Sequence, residues 1–277
     1  MKFSELKKLS TKQLILKAYH EEDDDTYMEY IHVLRLRGND EVFQLTKRLI
    51  YSKESVYREI AASTLSQFGY KTKLHKGESV HLLSRLLHDN NEDVICNAIY
   101  GFGHRKCTRY ADKLASFVTS KSLQIKEALS FALGGYENQK CIDALIVLMR
   151  DENYDVRNWS TFSLAQINET NTPSVRDALF KNLNDEETEV RGEALLGLAL
   201  RKDERVKDAI IEDLQKPFYG SWILDAIIEM PDSRYLTYFE SYINTLDEED
   251  KKAFNSNIEE SWKYLTILNR RISIEKI

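Results

Sequence analysis

Residues 156–168 read VRNWSTFSLAQIN, and the pattern they carry returns in register, without a gap, four more times. The copies are YREIAASTLSQFG from Tyr57, VICNAIYGFGHRK from Val94, IKEALSFALGGYE from Ile125 and VRGEALLGLALRK from Val190. Successive starts lie 37, 31, 31 and 34 residues apart. A weaker copy, WILDAIIEMPDSR, follows 32 residues on at Trp222, and a fainter one runs from near Thr26 to Gly38. Self-similarity at a period near thirty residues is the mark of a repeat architecture.

With the first residue of each copy as position 0, positions 0, 4 and 8 hold Val94, Ala98 and Phe102, or Val190, Ala194 and Leu198. At 100° per residue these positions span an 80° arc of a helix, the stripe expected to face a core. Asp93, Asp155 and Glu189 come just before position 0, where a carboxylate suits a helix N-terminus. Other amphipathic stretches lie between the copies, among them ESVHLLSRLLHD, CIDALIVLMRDE and RVKDAIIEDLQK. The unit is therefore helix A, a turn, helix B and a second turn. One such pair cannot bury its apolar face alone, so pairs must stack. With only 3 Pro and 10 Gly in 277 residues, a β-sandwich or barrel, which needs frequent turns, is disfavoured.

The acidic turn, the Val-Arg pairs at Val156-Arg157 and Val190-Arg191, the small residue at position 4 and Leu133-Gly134 resemble the HEAT repeat in its PBS-lyase-like subtype. The resemblance covers roughly residues 40–231. It implies an all-α fold, a right-handed alpha-alpha superhelix or HEAT-like solenoid, with helix B lining an inner, concave surface. Residues 1–39 give an N-terminal cap and a weak first repeat, and 232–277 give longer helices that read as a C-terminal cap. Terminal units of that kind close a stacked core. No Pro-, Gly- or Ser-rich linker interrupts the chain, so a single domain over 1–277 is expected.

Position 6 lies about 200° from the centre of the buried stripe and should be polar on an ordinary amphipathic helix. It reads Ser63, Tyr100, Phe131, Phe162, Leu196 and Ile228. In the family resembled, positions 2, 3 and 6 face the concave surface. The resemblance therefore implies a partner-binding face made of Glu59, Asn97, Tyr100, Glu127, Phe131 and Asn158 in the earlier copies. Trp159, Phe162, Glu193, Leu196 and Asp225 continue it. Aromatic anchors among carboxylates have the composition of a protein-binding patch. Two readings of the stripe stay open, an exposed row of anchors or rings buried as plain core.

Chemistry of other kinds is sparse. The formal net charge is −6 and the pI about 5.7, which counts against nucleic acid and favours a basic partner. Basic clusters at Lys71, Lys73 and Lys76, and at Arg105 and Lys106, fall in turns. Cys96, Cys107 and Cys141 form no CxxC pair, so neither disulfides nor zinc is indicated, and a reducing cytosol is the expected setting. Of six histidines only His20 adjoins a glutamate, Glu21, so no metal is expected, and no cofactor. The run Glu21–Asp25 reads as a solvated turn. Phosphate loops, nucleophile elbows and HExxH are lacking, as are apolar runs that could span a membrane.

The expected function is a cytosolic protein-binding module, not an enzyme. Its concrete form is an immunity or inhibitor protein that covers a basic toxin such as a nuclease; a general assembly scaffold is the alternative within that class. HEAT-like alkylpurine DNA glycosylases supply the enzyme alternative, with Tyr100, Trp159 and Glu127 as a base-stacking cradle.

Overall fold

The computed structural model describes residues 3–69, 74–217 and 220–275, with side chains to residue 268. Lys71 and Lys73 of the first basic cluster lie outside the described residues. All regular structure among the described residues is helical, so the all-α expectation holds. Of the fifteen residues at positions 0, 4 and 8 in the five full copies, fourteen are buried and Tyr57 is half-buried. That stripe is what makes each copy a helix packed on its neighbours.

The chain groups into two compact units, Met1–Cys141 and Ile142–Ile277. The first holds α1 (Phe3–Leu6), α2 (Thr11–Tyr19), α3 (Asp24–Arg37), α4 (Asp40–Leu49), α5 (Ser55–Gln67), α6 (Lys76–Leu86), α7 (Glu92–Arg105), α8 (Ala111–Ala115) and α9 (Leu123–Leu133). Helix α10 (Gln139–Leu148) runs past the boundary. The second unit continues with α11 (Tyr154–Phe162), α12 (Pro173–Asn182), α13 (Thr188–Leu200), α14 (Val206–Asp213), α15 (Trp222–Glu229), α16 (Leu236–Ile243), α17 (Glu248–Ala253) and α18 (Asn255–Glu275). Within the first unit α3, α5, α7 and α9 pack each on the next, and within the second α11, α13, α15 and α18 do the same. These are the B helices, and the faint copy near Thr26 is the first of them.

The helices begin two residues before position 0. Asn91 Oδ1 accepts from Val94 N–H and Asn153 Oδ1 from Val156 N–H, each at 3.1 Å. Asp93, Asp155 and Glu189 thus sit in the first turn, where a negative charge meets the positive end of the helix dipole. The acidic run also serves a helix: Asp23 caps α3 by accepting from Thr26 N–H at 2.9 Å. Hydrogen bonds from the Thr26 side chain and then its backbone hold the Asp23 carboxyl below the usual range.

In the copies from Tyr57 and Val156, the Arg at position 1 ties one repeat to the next. Arg58 clasps Asp89 through Nε and Nη2 at 2.6 and 2.8 Å, and its Nη1 donates to the carbonyls of Ser52 and Lys53. Arg157 repeats this on Asp185 at 2.9 and 3.1 Å, with Asp151 and Glu152 as its carbonyl acceptors. Two-pronged pairs of this kind, largely shielded from water, are stronger than ordinary surface ion pairs.

A second tie occurs at position 11, at the end of the B helix or just past it. Arg105 donates to Leu65 O and Phe68 O at the end of α5, and Tyr136 Oη donates to Phe102 O of α7 at 2.9 Å. Arg201 donates to Leu164 O and Ala165 O at 2.6 and 2.7 Å, and to Asn168 O at 2.5 Å. Those acceptors lie in and after a π-helical turn, Ser163–Ile167, that follows α11. Burial pushes both guanidinium groups down to about 10, still protonated at neutral pH. Arg105 is thereby corrected from the turn in which the sequence had placed it: it ends α7, and its charge is spent on carbonyls of α5 and its C-cap.

Removing the Arg201 fork strands several buried acceptors, each costing about 1–3 kcal/mol. Arg201→Ala should lower unfolding free energy by about 3 kcal/mol or more in denaturant titrations, with Arg201→Lys recovering only part. An unchanged midpoint in Arg201→Ala would show that the carbonyls need no donor.

Candidate functional site

On α7, residues 93, 97, 100 and 104 follow one another at the i, i+4, i+7, i+11 spacing that shares a helix face. They are Asp93, Asn97, Tyr100 and His104. Tyr27 on α3 donates to Ser63 Oγ on α5 at 3.3 Å, and Ser63 Oγ donates to Asn97 Oδ1 at 2.7 Å. Asn97 Nδ2 donates in turn to Asp93 O at 3.0 Å. Ser63 is therefore fully buried, although position 6 was expected to be open; the polar chain covers it.

At one end of this chain is a cleft of about 520 Å³ bordered by Tyr27, Asp24, Glu59 and Asp93. Burial, and then the charge of Asp93, lift the Glu59 carboxyl above its ordinary range. The Tyr27 hydroxyl is raised as well, chiefly by burial and next by Glu59. At the other end the rings of Tyr100 and Phe131 lie 5.6 Å apart, and His104 meets Phe131 edge-on at 5.2 Å. Tyr100 and Phe131 are each 37% exposed, so of the two readings of the stripe the exposed one holds here. Phe131 rests on Gly103, where a Cβ would meet its Cε1 at 2.7 Å. Burial and the charges of Arg35 and Arg105 depress the His104 imidazole, whose Nε2 lies 2.9 Å from Gln67 Nε2. Glu127 on α9 is half-buried.

The second unit carries its own exposed aromatic. Trp159 is 49% exposed and meets the half-buried Phe162 edge-on at 5.8 Å, beside half-buried Asn158. Two expected contact residues are corrected here. Leu196 is buried, and Glu193 is buried beneath Trp222 of α15. Gly192 makes room for that ring, since a Cβ there would lie 2.6 Å from Trp222 Cδ2. Trp222 Nε1 donates to Glu193 Oε1 at 2.9 Å, and Gln166 Nε2 donates to Oε2. Asp225 is half-buried and accepts from Asn257 Nδ2 of α18 at 2.6 Å.

The expected residues therefore divide by unit: Glu59, Asn97, Tyr100, Glu127 and Phe131 in the first; Asn158, Trp159, Phe162 and Asp225 in the second, with Glu193 and Leu196 covered. Tyr27, Asp24, Asp93 and His104 were missed. The i+7 and i+11 spacing on α7 would have found Asp93 and His104. Burial lifts the thiols of Cys96 and Cys141 to about 12 and about 11, where nucleophilic thiolate is scarce at neutral pH. Among the described residues no grouping of His, Cys, Asp and Glu could hold a metal ion, and no helix is long and apolar enough to cross a membrane.

The HEAT-repeat family model matches residues 111–199 and 142–230. Protein YibA of Escherichia coli is 30% identical over 224 residues, 79% of this chain and 80% of that protein. The X-ray structure of Escherichia coli YibA superposes with a TM-score of 0.74 at 27% identity, covering 95% of each chain. A crystal structure of an engineered protein superposes at 0.51 and 14% identity, covering 95% of this chain and 83% of that one, a likeness of fold alone.

Two outcomes follow from the geometry. Because burial raises Glu193, the folded chain holds that proton more tightly than the unfolded one. Stability should therefore fall as pH rises from the unfolded carboxyl value, about 4.3, through the higher folded value. Melting temperatures of Glu193→Gln across that range should slope less steeply than those of the parent; equal slopes would remove Glu193 as a contributor. Separately, Trp159→Ala should change unfolding free energy by no more than about 1 kcal/mol. A loss of about 3–5 kcal/mol, the core value, would place that ring in the interior.

Proposed function

Since the chain belongs to the same family as Escherichia coli YibA and its repeats are HEAT repeats, we propose that it is a protein-binding module whose α5–α7–α9 face docks a partner with a basic surface. The observation that carries this reading is the pair Tyr100 and Phe131, each 37% exposed at a position where an amphipathic helix normally puts polar groups. Carboxylates flank the rings, and positions 2, 3 and 6 of α5, α7 and α9 carry no Lys or Arg. A positive partner would be steered toward such a face, whereas a phosphate backbone would find no cation on it.

The specific form we favour is an inhibitor or immunity protein that neutralises a basic toxin, with a nuclease the kind of target whose positive surface fits. The reading supposes no catalytic step and no cofactor. Three cysteines without a disulfide among the described residues fit a working place in the reducing cytosol.

Affinity purification from the native source, with the parent chain and with Tyr100→Ala/Phe131→Ala in parallel, tests the assignment. Quantitative mass spectrometry should find a basic protein retained by the parent and lost by the variant, whose melting temperature stays close to the parent's. With that protein purified, each Ala change should weaken the complex by about 2 kcal/mol, roughly thirtyfold. The same proteins recovered with both baits would remove this face from the interaction. Release of free alkylpurine from methylated DNA would make the chain an enzyme.

A further inference from the structure

Resting on the reading of this face as a docking surface, we propose that it grips one partner segment at two points. A cationic side chain sits between Glu59 and Asp93, and an apolar side chain lies against Tyr100 and Phe131, about 10 Å away.

The spacing comes from α7 itself. Asp93 and Tyr100 are seven residues apart, 20° short of two full turns, so they project from one face about 10 Å apart at 1.5 Å per residue. Between them Asn97 is committed on both sides, accepting from Ser63 and donating to Asp93 O. The middle of the face is thus a fixed polar strip, and the two ends differ in chemistry. One end is the cleft of about 520 Å³, bordered by Tyr27, Asp24, Glu59 and Asp93. Burial and the like charge of Asp93 raise Glu59, and a guanidinium or ammonium that enters opposes that rise, because an opposite charge within about 4–6 Å favours the ionised carboxyl. At the other end three rings meet, Tyr100, Phe131 and His104, with the two largest open to contact.

Charge selects among occupants. An anionic segment is repelled by the cleft, and a second copy of this chain carries the same net charge of −6. A polypeptide presenting Arg or Lys together with an aromatic or aliphatic residue satisfies both ends. In an extended chain at about 3.3 Å per residue, and with the reach of an Arg side chain, the two residues are separated by about two to four others.

The probes are peptides acetyl-Arg–linker–Phe-amide, with Ser/Gly linkers of increasing length, titrated into the isotope-labelled full chain while its amide resonances are followed. Linking two contacts raises affinity most when the linker matches the span. The tightest binding is expected at about two to four linker residues, threefold or more above the shortest and longest peptides. Glu59→Gln/Asp93→Asn should abolish that optimum while Phe-amide still perturbs the amides around Tyr100, and Tyr100→Ala should abolish it from the other end. Melting temperatures close to the parent's establish that the variants fold. An optimum that persists in Glu59→Gln/Asp93→Asn, or binding to this face that is indifferent to length, overturns the two-point grip and leaves the docking surface standing. If no peptide at millimolar concentration perturbs α5, α7 or α9, both readings fall.

Discussion

The last four carbonyls of every α-helix have no partner within that helix. In a stack of repeats the neighbouring helix covers several of them from water. Donors for some of them come from outside the helix: at the ends of α5 and α7 and in the turn after α11 they come from position 11 of the following repeat. Arg105, Tyr136 and Arg201 meet the same need with different chemistry. The stacking of one B helix on the next, which brings Tyr100 beside Phe131, sets the need and is strengthened by its satisfaction.

This arrangement also decides where charge is left over. Arg105 and Arg201 lie on carbonyls and Arg35 donates to Ser63 O, while Arg58 and Arg157 are clasped by Asp89 and Asp185. Structural work thus takes up a large share of the guanidinium groups near the B helices. Among the described residues Asp24, Glu59 and Asp93 form no ion pair. The negative cleft beside Tyr27 is in this sense a by-product of how the helix ends are closed.

The buried stripe was legible because its signal is local: positions 0, 4 and 8 repeat within thirteen residues, and almost all are buried. The exposure of Tyr100, Phe131 and Trp159 was one of two readings that the angle of positions 3 and 6 left open, and at the same positions Glu193 and Leu196 are buried. What escaped the sequence depends on residues in different repeats. The arginine after Val156 has no visible purpose until Asp185 is brought beside it. Position 11 shows no consensus, because Arg and Tyr share a donor and not a shape and two copies carry Phe68 and Ile167 there. Glu193 looked open because the residue that covers it, Trp222, begins a weakly aligned copy. Gly192 is small for the sake of that ring, a reason no single repeat contains.

The position-11 donors also set the true boundaries of the building block. A repeat cut at the turn before its A helix keeps its own stripe but loses the side chain that closes its B helix, because that side chain belongs to the next repeat. The self-sufficient module is longer than the period and ends just after residue 105, 136 or 201. The rule holds for those three joins only, since Phe68 and Ile167 occupy position 11 in the copies from Tyr57 and Val156. An array rejoined after α5, α7 or α11 therefore keeps that helix end closed only where the incoming neighbour brings a donor of its own.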